Sequence, residues 1–414
     1  MERLPLLGIR VLDLSKVWAG PYCTRLLADL GAEVIKVEGP GSWDLIRSLD
    51  LLPQGTERAY NRASYFNLYN RNKLGCVLDV ANPKGHELAL RLAAKCDVVV
   101  ENYRSDVLEQ LGLGYEALRA VREDIILVSM PSHGLWGPDA DHIAYGTHIE
   151  QLGGLVAQNG YPDGPPHRSG ISYGDPMAGA AAAAATIAAL LHRRWTGRGQ
   201  HVEVAQWEAF LSYLGDLYVE YSMTGVAPPR RGNGHASMAP HGAYRCAGDD
   251  SWLTIAVGSD AEFSALCRVI DRAGLADDAR FADVVSRYRN RNALDEIVSA
   301  WTRERTHRDA AAALQSAGVS AMPVLTVPEL VDDPHLAGRG FFEEVTHREA
   351  GTWLMDGPAW RFGFTPLHVR LPAPCFGEHN DYVFRDLLGL SAEELADLER
   401  EGIVTREPVA GQDE

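Results

Sequence analysis

Apolar and polar positions follow two rhythms along the first 130 residues. Residues 9–14 form a short β-rich apolar run; residues 21–30 then place apolar side chains at helical spacing. Gly31 is suited to stop that helix before residues 33–38 resume strand character. A second cycle has a strand at 76–80, a helix opened by Asn82-Pro83-Lys84-Gly85 with its apolar body at 88–94, and a strand at 96–100. Residues 125–130 read as one more strand. Strand, helix, strand at this spacing predicts a mostly parallel sheet covered by helices.

Further along, residues 171–221 read as mainly helical, with nine alanines between Ala178 and Ala189. Alanine favours helix and removes bulk, so another backbone can approach that helix closely. Residues 225–237, rich in Pro, Gly and Arg, mark a crossing, after which short strands and helices alternate. The reading is therefore a large domain over 1–224, a small domain over 225–330, and a segment over 331–414 that returns to the large one. Residues 331–384 read as loops and 391–399 as a last amphipathic helix.

The chain of 414 residues carries a formal net charge of −17, which opposes general binding to nucleic acid or to an anionic membrane. Its longest nearly apolar run, 177–191, ends at His192-Arg193-Arg194 and is read as a buried helix, too short for a membrane span. Six scattered cysteines without a CxxC pair, and a start that enters a strand without a leader-like stretch, lead us to expect a cytoplasmic protein. The first strand is not followed by GxGxxG, and the chain has no GxxxxGK[ST] loop, so a nicotinamide enzyme and a P-loop NTPase both lose ground. His142, His148, His235 and His241 show no metal-ligand spacing with Asp or Glu, and no metal is expected.

Asp175 is the first candidate for chemistry. By itself, Asp175-Pro176 reads as a helix N-cap followed by Pro at the first helical position. The wider context adds a resemblance. It is carried by Gly8-Ile9-Arg10-Val11-Leu12-Asp13-Leu14-Ser15, Ala19-Gly20-Pro21, the Leu30-Gly31-Ala32-Glu33 stretch continuing to Glu38, and Asn70-Arg71-Asn72-Lys73 with Leu78-Asp79. It continues through Glu101-Asn102-Tyr103-Arg104, Leu111-Gly112-Leu113-Gly114-Tyr115, Tyr173-Gly174-Asp175-Pro176 and Gly377-Glu378-His379. In this order and spacing the chain resembles the family III CoA-transferases, which include formyl-CoA transferase, carnitine CoA-transferase and, as a racemising branch, α-methylacyl-CoA racemase.

The resemblance implies an α/β fold with a Rossmann-like large domain, a smaller α/β domain and an interlocked homodimer. CoA and its thioesters are then substrates rather than resident cofactors, and free carboxylic acids are the other partners. It implies Asp175 as nucleophile, with Arg71, Lys73, Arg104 and Asn102 at family positions around CoA. Where family members often carry an arginine after Lys-Val-Glu, this chain has Gly39, so one CoA contact is either lost or supplied elsewhere, with Arg47 the candidate. Trp18 stands where oxalate-using members have glutamine, which disfavours oxalate and formate. Tyr145, His142 and the Gly232 to Gly234 turn complete the implied substrate pocket; Gly153-Gly154 is an alternative source of oxyanion donors.

Tyr145 holds the place of the racemase histidine and Gly146 that of its aspartate, with His142 and His148 to either side. A tyrosine with a pKa of about 10 is a poor base near neutrality, so CoA transfer leads over racemisation. A catalytically silent CoA-binding homologue is the third reading.

Overall fold

The computed structural model describes residues 3–49 and 56–409. Six strands form one sheet: β1 (Arg10–Asp13), β2 (Glu33–Glu38), β3 (Lys73–Val77), β4 (Val98–Glu101), β5 (Ile126–Ser129) and β6 (His201–Glu203). Their order is β3-β2-β1-β4-β5-β6, and every pairing is parallel. This is the doubly wound arrangement of a Rossmann fold.

The register explains why the strand sequences are nearly continuous apolar runs. Val11 pairs with Val34 and Val98, while Leu12 pairs with Ile35 and Val99. The first set faces a core built with α1 (Ala19–Asp29), and the second faces α2 (Pro83–Ala93). Both faces are dry, so neither side of a strand is left for polar residues.

Two further helices pack against each other, α3 (Gly146–Leu152) and α4 (Gly174–Thr196), and α4 lies along α1 and against β5. Helix α4 is longer than the apolar run suggested, and long and apolar enough by composition to cross a bilayer. One stripe of it, including Ala178, Gly179, Ala182 and Ala189, is buried in the core. Gly179 is where α1 and α4 touch most tightly: a Cβ there would lie 2.6 Å from the Ala19 carbonyl oxygen and 3.0 Å from the Tyr22 ring. Gly179→Ala should therefore cost about 1–3 kcal/mol of stability, read by urea unfolding, with a parallel fall in activity because Ala19 would shift. An unchanged midpoint would show that the two helices separate freely.

The chain divides into two compact units. The large unit comprises Met1–Val156, Arg168–Val226 and Ala337–Glu414; the small unit comprises Ala157–His167 and Ala227–Leu336. The small unit has an antiparallel sheet of β7 (His241–Arg245), β8 (Trp252–Ala256) and β9 (Ser320–Val324). Its core, around Leu253, Ile255, Phe263, Phe281 and Leu314, includes Leu294 and Val298 of the helix Arg291–Thr302.

Three differences from the hydropathy reading have physical causes. Strand β3 begins at Lys73, three positions early, because a buried ion pair makes a lysine tolerable inside the sheet. Strand β6 lies within the stretch read as helical, as a short edge strand without a fully buried residue. The loop-rich segment contains a hairpin of β10 (Phe342–His347) and β11 (Gly351–Asp356), whose polar residues mask its alternation.

Candidate active site

The sheet order reverses between β1 and β4, and the loops leaving these strands form the crevice where doubly wound folds bind ligands. After β1, residues 14–18 turn sharply into α1. Val17 has φ +68°, an unfavourable conformation for a β-branched residue. Neighbouring hydrogen bonds hold it there: the Val17 N–H donates to Asp44 Oδ1 at 2.9 Å. Asn102, just beyond β4, grips Lys16 on both sides, accepting its N–H at 2.8 Å and donating to its carbonyl at 2.8 Å. Asn102 thus ties the two halves of the switch point together.

Asp175 sits in the first turn of α4 with 8% of its surface exposed. It is not the N-cap that the Asp-Pro dipeptide suggested; Tyr173 occupies that position. Instead, its carboxylate accepts the backbone N–H of Ala19, the first residue of α1. Gly146, the first residue of α3, lies against it so closely that a Cβ would fall 1.7 Å from Asp175 Oδ2. Among the described residues no cation forms an ion pair with Asp175.

Burial pushes the Asp175 carboxyl up to about 7; the Ala19 N–H opposes the rise and the nearby negative Glu150 adds to it. Glu150 is itself fully buried and accepts the Tyr173 N–H at 2.6 Å and the Ser169 hydroxyl at 2.9 Å. A carboxylate with a raised pKa is a stronger nucleophile than an exposed one, and the lack of a paired cation leaves its charge unquenched. With ionised Asp175 as the reactive form, kcat/KM should rise with pH through about 7 and then level off. A profile flat from about pH 5.5 to 8.5 would rule out that assignment.

An aromatic wall adjoins this carboxylate. Trp18, 6% exposed, meets Tyr65 at 5.6 Å and Tyr69 at 5.1 Å between ring centres. Its indole N–H is buried without a hydrogen-bond partner. Tyr65 feels the charge of Asp175, and burial first, then that charge, raise its hydroxyl pKa. The sequence did not single out Tyr65, which stands five residues before the Asn70-Arg71-Asn72-Lys73 motif.

The cations named from the sequence divide into two groups. Arg71 is fully buried, donating to Asp29 Oδ2 at 2.8 Å and pairing with Asp356. Lys73 bonds to Asp13 at 3.0 Å, Asn70 at 2.8 Å and the Pro21 carbonyl at 3.0 Å. Burial outweighs these partners and lowers it to about 8. Arg47 is bound to Glu38 at 2.7 Å and lies 3.4 Å over the Phe66 ring, so it does not reach outward to replace an arginine at Gly39. These three guanidinium and ammonium groups anchor loops to the sheet. Arg104, by contrast, is partly exposed and paired with Asp106 at 2.8 Å. Lys16, which the sequence did not single out, reaches the Ser42 carbonyl from the same switch-point loop.

Tyr145 is an exposed N-cap of α3, its N–H bonded to His148 Nδ1 at 3.1 Å. His142 is exposed beside Asp139 and edge-on to His133 at 5.7 Å. The N–H groups of Gly153 and Gly154 serve the end of α3, donating to Ile149 and Gln151 carbonyls. Gly232 and Gly234 belong to the small unit, and their N–H groups bond the carbonyls of Gly160 and Arg231. All six cysteines are buried as free thiols. Among the described residues no group of three or more His, Cys, Asp or Glu is placed to hold a metal.

Comparison with known proteins gives the family. The model of CoA-transferase family III matches residues 6–380. The chain is 36% identical to succinyl-CoA--D-citramalate CoA-transferase of Chloroflexus aurantiacus, over 97% of this chain and 98% of that protein. It is 34% identical to succinate--glutarate CoA-transferase of Agrobacterium fabrum, over 92% and 96% of the two chains. A crystal structure of a CAIB/BAIF family protein from Brucella suis superposes with a TM-score of 0.84 at 32% identity, covering 93% of this chain and all of that one. The protein belongs to CoA-transferase family III and is an enzyme that moves CoA between acyl-CoA and carboxylate partners.

Proposed function

We propose that this enzyme exchanges CoA between short-chain dicarboxylic acids, with Asp175 as the nucleophile. The observation that carries the reading is a buried carboxylate of raised pKa, paired with no cation among the described residues, held by a helix N-terminal N–H at the switch point. The relatives' names support the substrate class: succinyl-CoA appears with D-citramalate or mesaconate, and succinate with glutarate. All are dicarboxylates longer than oxalate, in keeping with an aromatic wall at Trp18 and Tyr65.

Asp175 attacks the thioester carbonyl of the donor, forming an acyl-aspartyl anhydride and releasing CoA thiolate. The thiolate attacks the aspartyl carbonyl, giving an aspartyl-CoA thioester and the free donor acid. The acceptor carboxylate attacks that thioester, forming a second anhydride and expelling the thiolate again. Attack of the thiolate on the acceptor's acyl carbon yields the new acyl-CoA and restores Asp175. No step requires ATP, because each substitution breaks one activated acyl bond, thioester or anhydride, as it forms another. The Ala19 N–H that meets the resting carboxylate is suited to the oxyanion at the aspartyl carbonyl. Lys16 and Arg104 at the crevice are the cations we assign to the CoA phosphates, with Asn102 fixing the loop between them.

The working unit is proposed to be an interlocked homodimer, with the small unit of one copy covering Asp175 of the other. The helix Gly215–Thr224 supports an assembly: none of its residues is buried, and it exposes Tyr218, Tyr221 and Met223.

The test is intact-protein mass after brief incubation with succinyl-CoA and a panel of other acyl-CoAs, quenched with hydroxylamine. A hydroxamate or CoA adduct on Asp175, absent from Asp175→Ala, is the expected result. Exchange of an α-proton from a 2-methylacyl-CoA in heavy water, without an adduct from any donor, would replace transfer by racemisation.

A further inference from the structure

Beneath the turn that leads from β1 into α1 lies a buried ion pair to which the transfer chemistry gives no task. Lys36, within β2, meets Asp44 at 2.9 Å, and both side chains are wholly excluded from solvent. A buried ion pair is a poor source of stability, because the loss of water offsets much of the attraction. Burial opposes the Lys36 charge, yet Asp44, Asp13 and Glu38 together outweigh it and hold its pKa above the ordinary value. The ammonium therefore stays charged at any working pH.

The pair grips the backbone of residues 15–17. Lys36 Nζ donates to the Ser15 carbonyl at 2.8 Å. Asp44 turns its other oxygen, Oδ1, to the Val17 N–H at 2.9 Å and to the Ile46 N–H at 3.3 Å. Its own N–H is held by Glu38 at 3.0 Å. Asp13 closes the near side, accepting the Ser15 N–H at 3.0 Å. Within this grip Val17 is bent to φ +68°. The turn then doubles back tightly on α1: a Cβ at Gly20 would lie 2.2 Å from Ser15 Cβ. Residues 15–17 cannot shift without the first turn of α1, whose first residue, Ala19, gives its N–H to Asp175.

A β-branched residue at positive φ stays there only because its surroundings over-determine it. Both oxygens of Asp44 are needed for that, one for the ammonium and one for the Val17 N–H. We propose that Lys36 and Asp44 are positioning residues for CoA transfer: their ion pair holds Val17 in its left-handed turn, and that turn aims the Ala19 N–H at Asp175. The proposal rests on Asp175 as the nucleophile and adds what fixes its hydrogen-bond donor.

The test follows formation of the Asp175 adduct from succinyl-CoA in the full-length enzyme, by hydroxylamine quench and intact mass, from about pH 5.5 to 8.5. Urea unfolding of each variant reports that it is folded. Asp44→Asn is nearly isosteric, but its single amide oxygen can serve Lys36 or Val17 and not both. It should slow adduct formation roughly 10- to 100-fold at neutral pH. The ascending limb should also move above about 7, because Asp175 loses the Ala19 N–H that opposes its raised pKa. Glycine adopts positive φ without a clamp, so Val17→Gly alone should stay within about threefold of wild type. Added to Asp44→Asn, the same change should recover most of the lost rate. Val17→Pro leaves the ion pair in place but fixes φ at about −65° and removes the N–H. It should be as slow as Asp44→Asn, and it carries the test if Asp44→Asn does not fold.

A folded Asp44→Asn or Val17→Pro enzyme that forms the adduct within about twofold of the wild-type rate would overturn the proposal. So would a Val17→Gly enzyme as slow as Val17→Pro. A slowed Asp44→Asn enzyme with an unshifted limb, or without recovery on adding Val17→Gly, would reduce the pair to general support of the fold and overturn it equally. A wild-type enzyme that forms no adduct on Asp175 removes the nucleophile reading itself; the other outcomes leave that reading standing.

Discussion

Asp175→Asn is expected to lower turnover by roughly 10³-fold or more while making the folded protein more stable at about pH 8. The amide keeps an oxygen for the Ala19 N–H, so the local geometry survives, but it lacks the carboxylate to which we assign the attack on the thioester. The stability gain follows from burial. The carboxyl titrates at about 7 in the folded chain, against an ordinary value of 3.8. Below 3.8 both folded and unfolded states hold the proton and the group costs nothing. Between 3.8 and about 7 only the unfolded state has lost it, and stability falls as pH rises. Above that range the full penalty is present, on the order of a few kcal/mol. Melting temperatures of the two proteins should therefore separate at about pH 8 and converge toward about pH 4. Equal separation at both pH values would mean that Asp175 is not held at a raised pKa. A rise in stability on removing a charged group is the mark of a residue kept for chemistry at the expense of the fold.

What the sequence made legible depends on whether a signal was local. The cycle from β1 through α1 to β2 was readable because both strand faces are apolar and Gly31 ends the helix with φ +101°. Strand β3 slipped because Lys73 is charged, and its ionic partner Asp13, which helps to make its burial possible, lies sixty positions away. The same remoteness hid the role of Arg71, which Asp29 draws into the interior; Arg47 is drawn in by the nearby Glu38, yet an arginine in a polar loop reads as solvated. Asp175 was found through its motif, but its environment was not, since Ala19 and Gly146 reach it from distant parts of the chain. Tyr65 lacked a motif of its own and emerged through ring contact with Trp18.

Gly146 supplies the second large effect. Gly146→Ala should reduce kcat/KM about 100-fold with the fold retained, and Gly146→Val more strongly still. The cause is steric. An added Cβ would lie 1.7 Å from Asp175 Oδ2, 2.6 Å from its carboxyl carbon and 2.8 Å from Ser172 Cβ. No real contact is that short, so either the carboxylate turns away from the Ala19 N–H or the start of α3 retreats. The second course is obstructed: α3 packs on α4 where a Cβ at Gly174 would meet Ile149 Cγ2 at 2.8 Å, and Glu150 is anchored by the Tyr173 N–H. The carboxylate therefore moves, and a displacement of about 1 Å at a nucleophile is enough for the predicted loss. The accompanying signature is a shift in the pH profile, because a carboxylate swung away from the Ala19 N–H loses the one hydrogen bond that opposes its raised pKa. The ascending limb should move above about 7 in Gly146→Ala, together with slower formation of the aspartyl adduct at neutral pH. If Gly146→Ala instead kept wild-type kcat/KM and an unshifted limb, the position would be a tolerant helix start, and the glycine would owe nothing to Asp175.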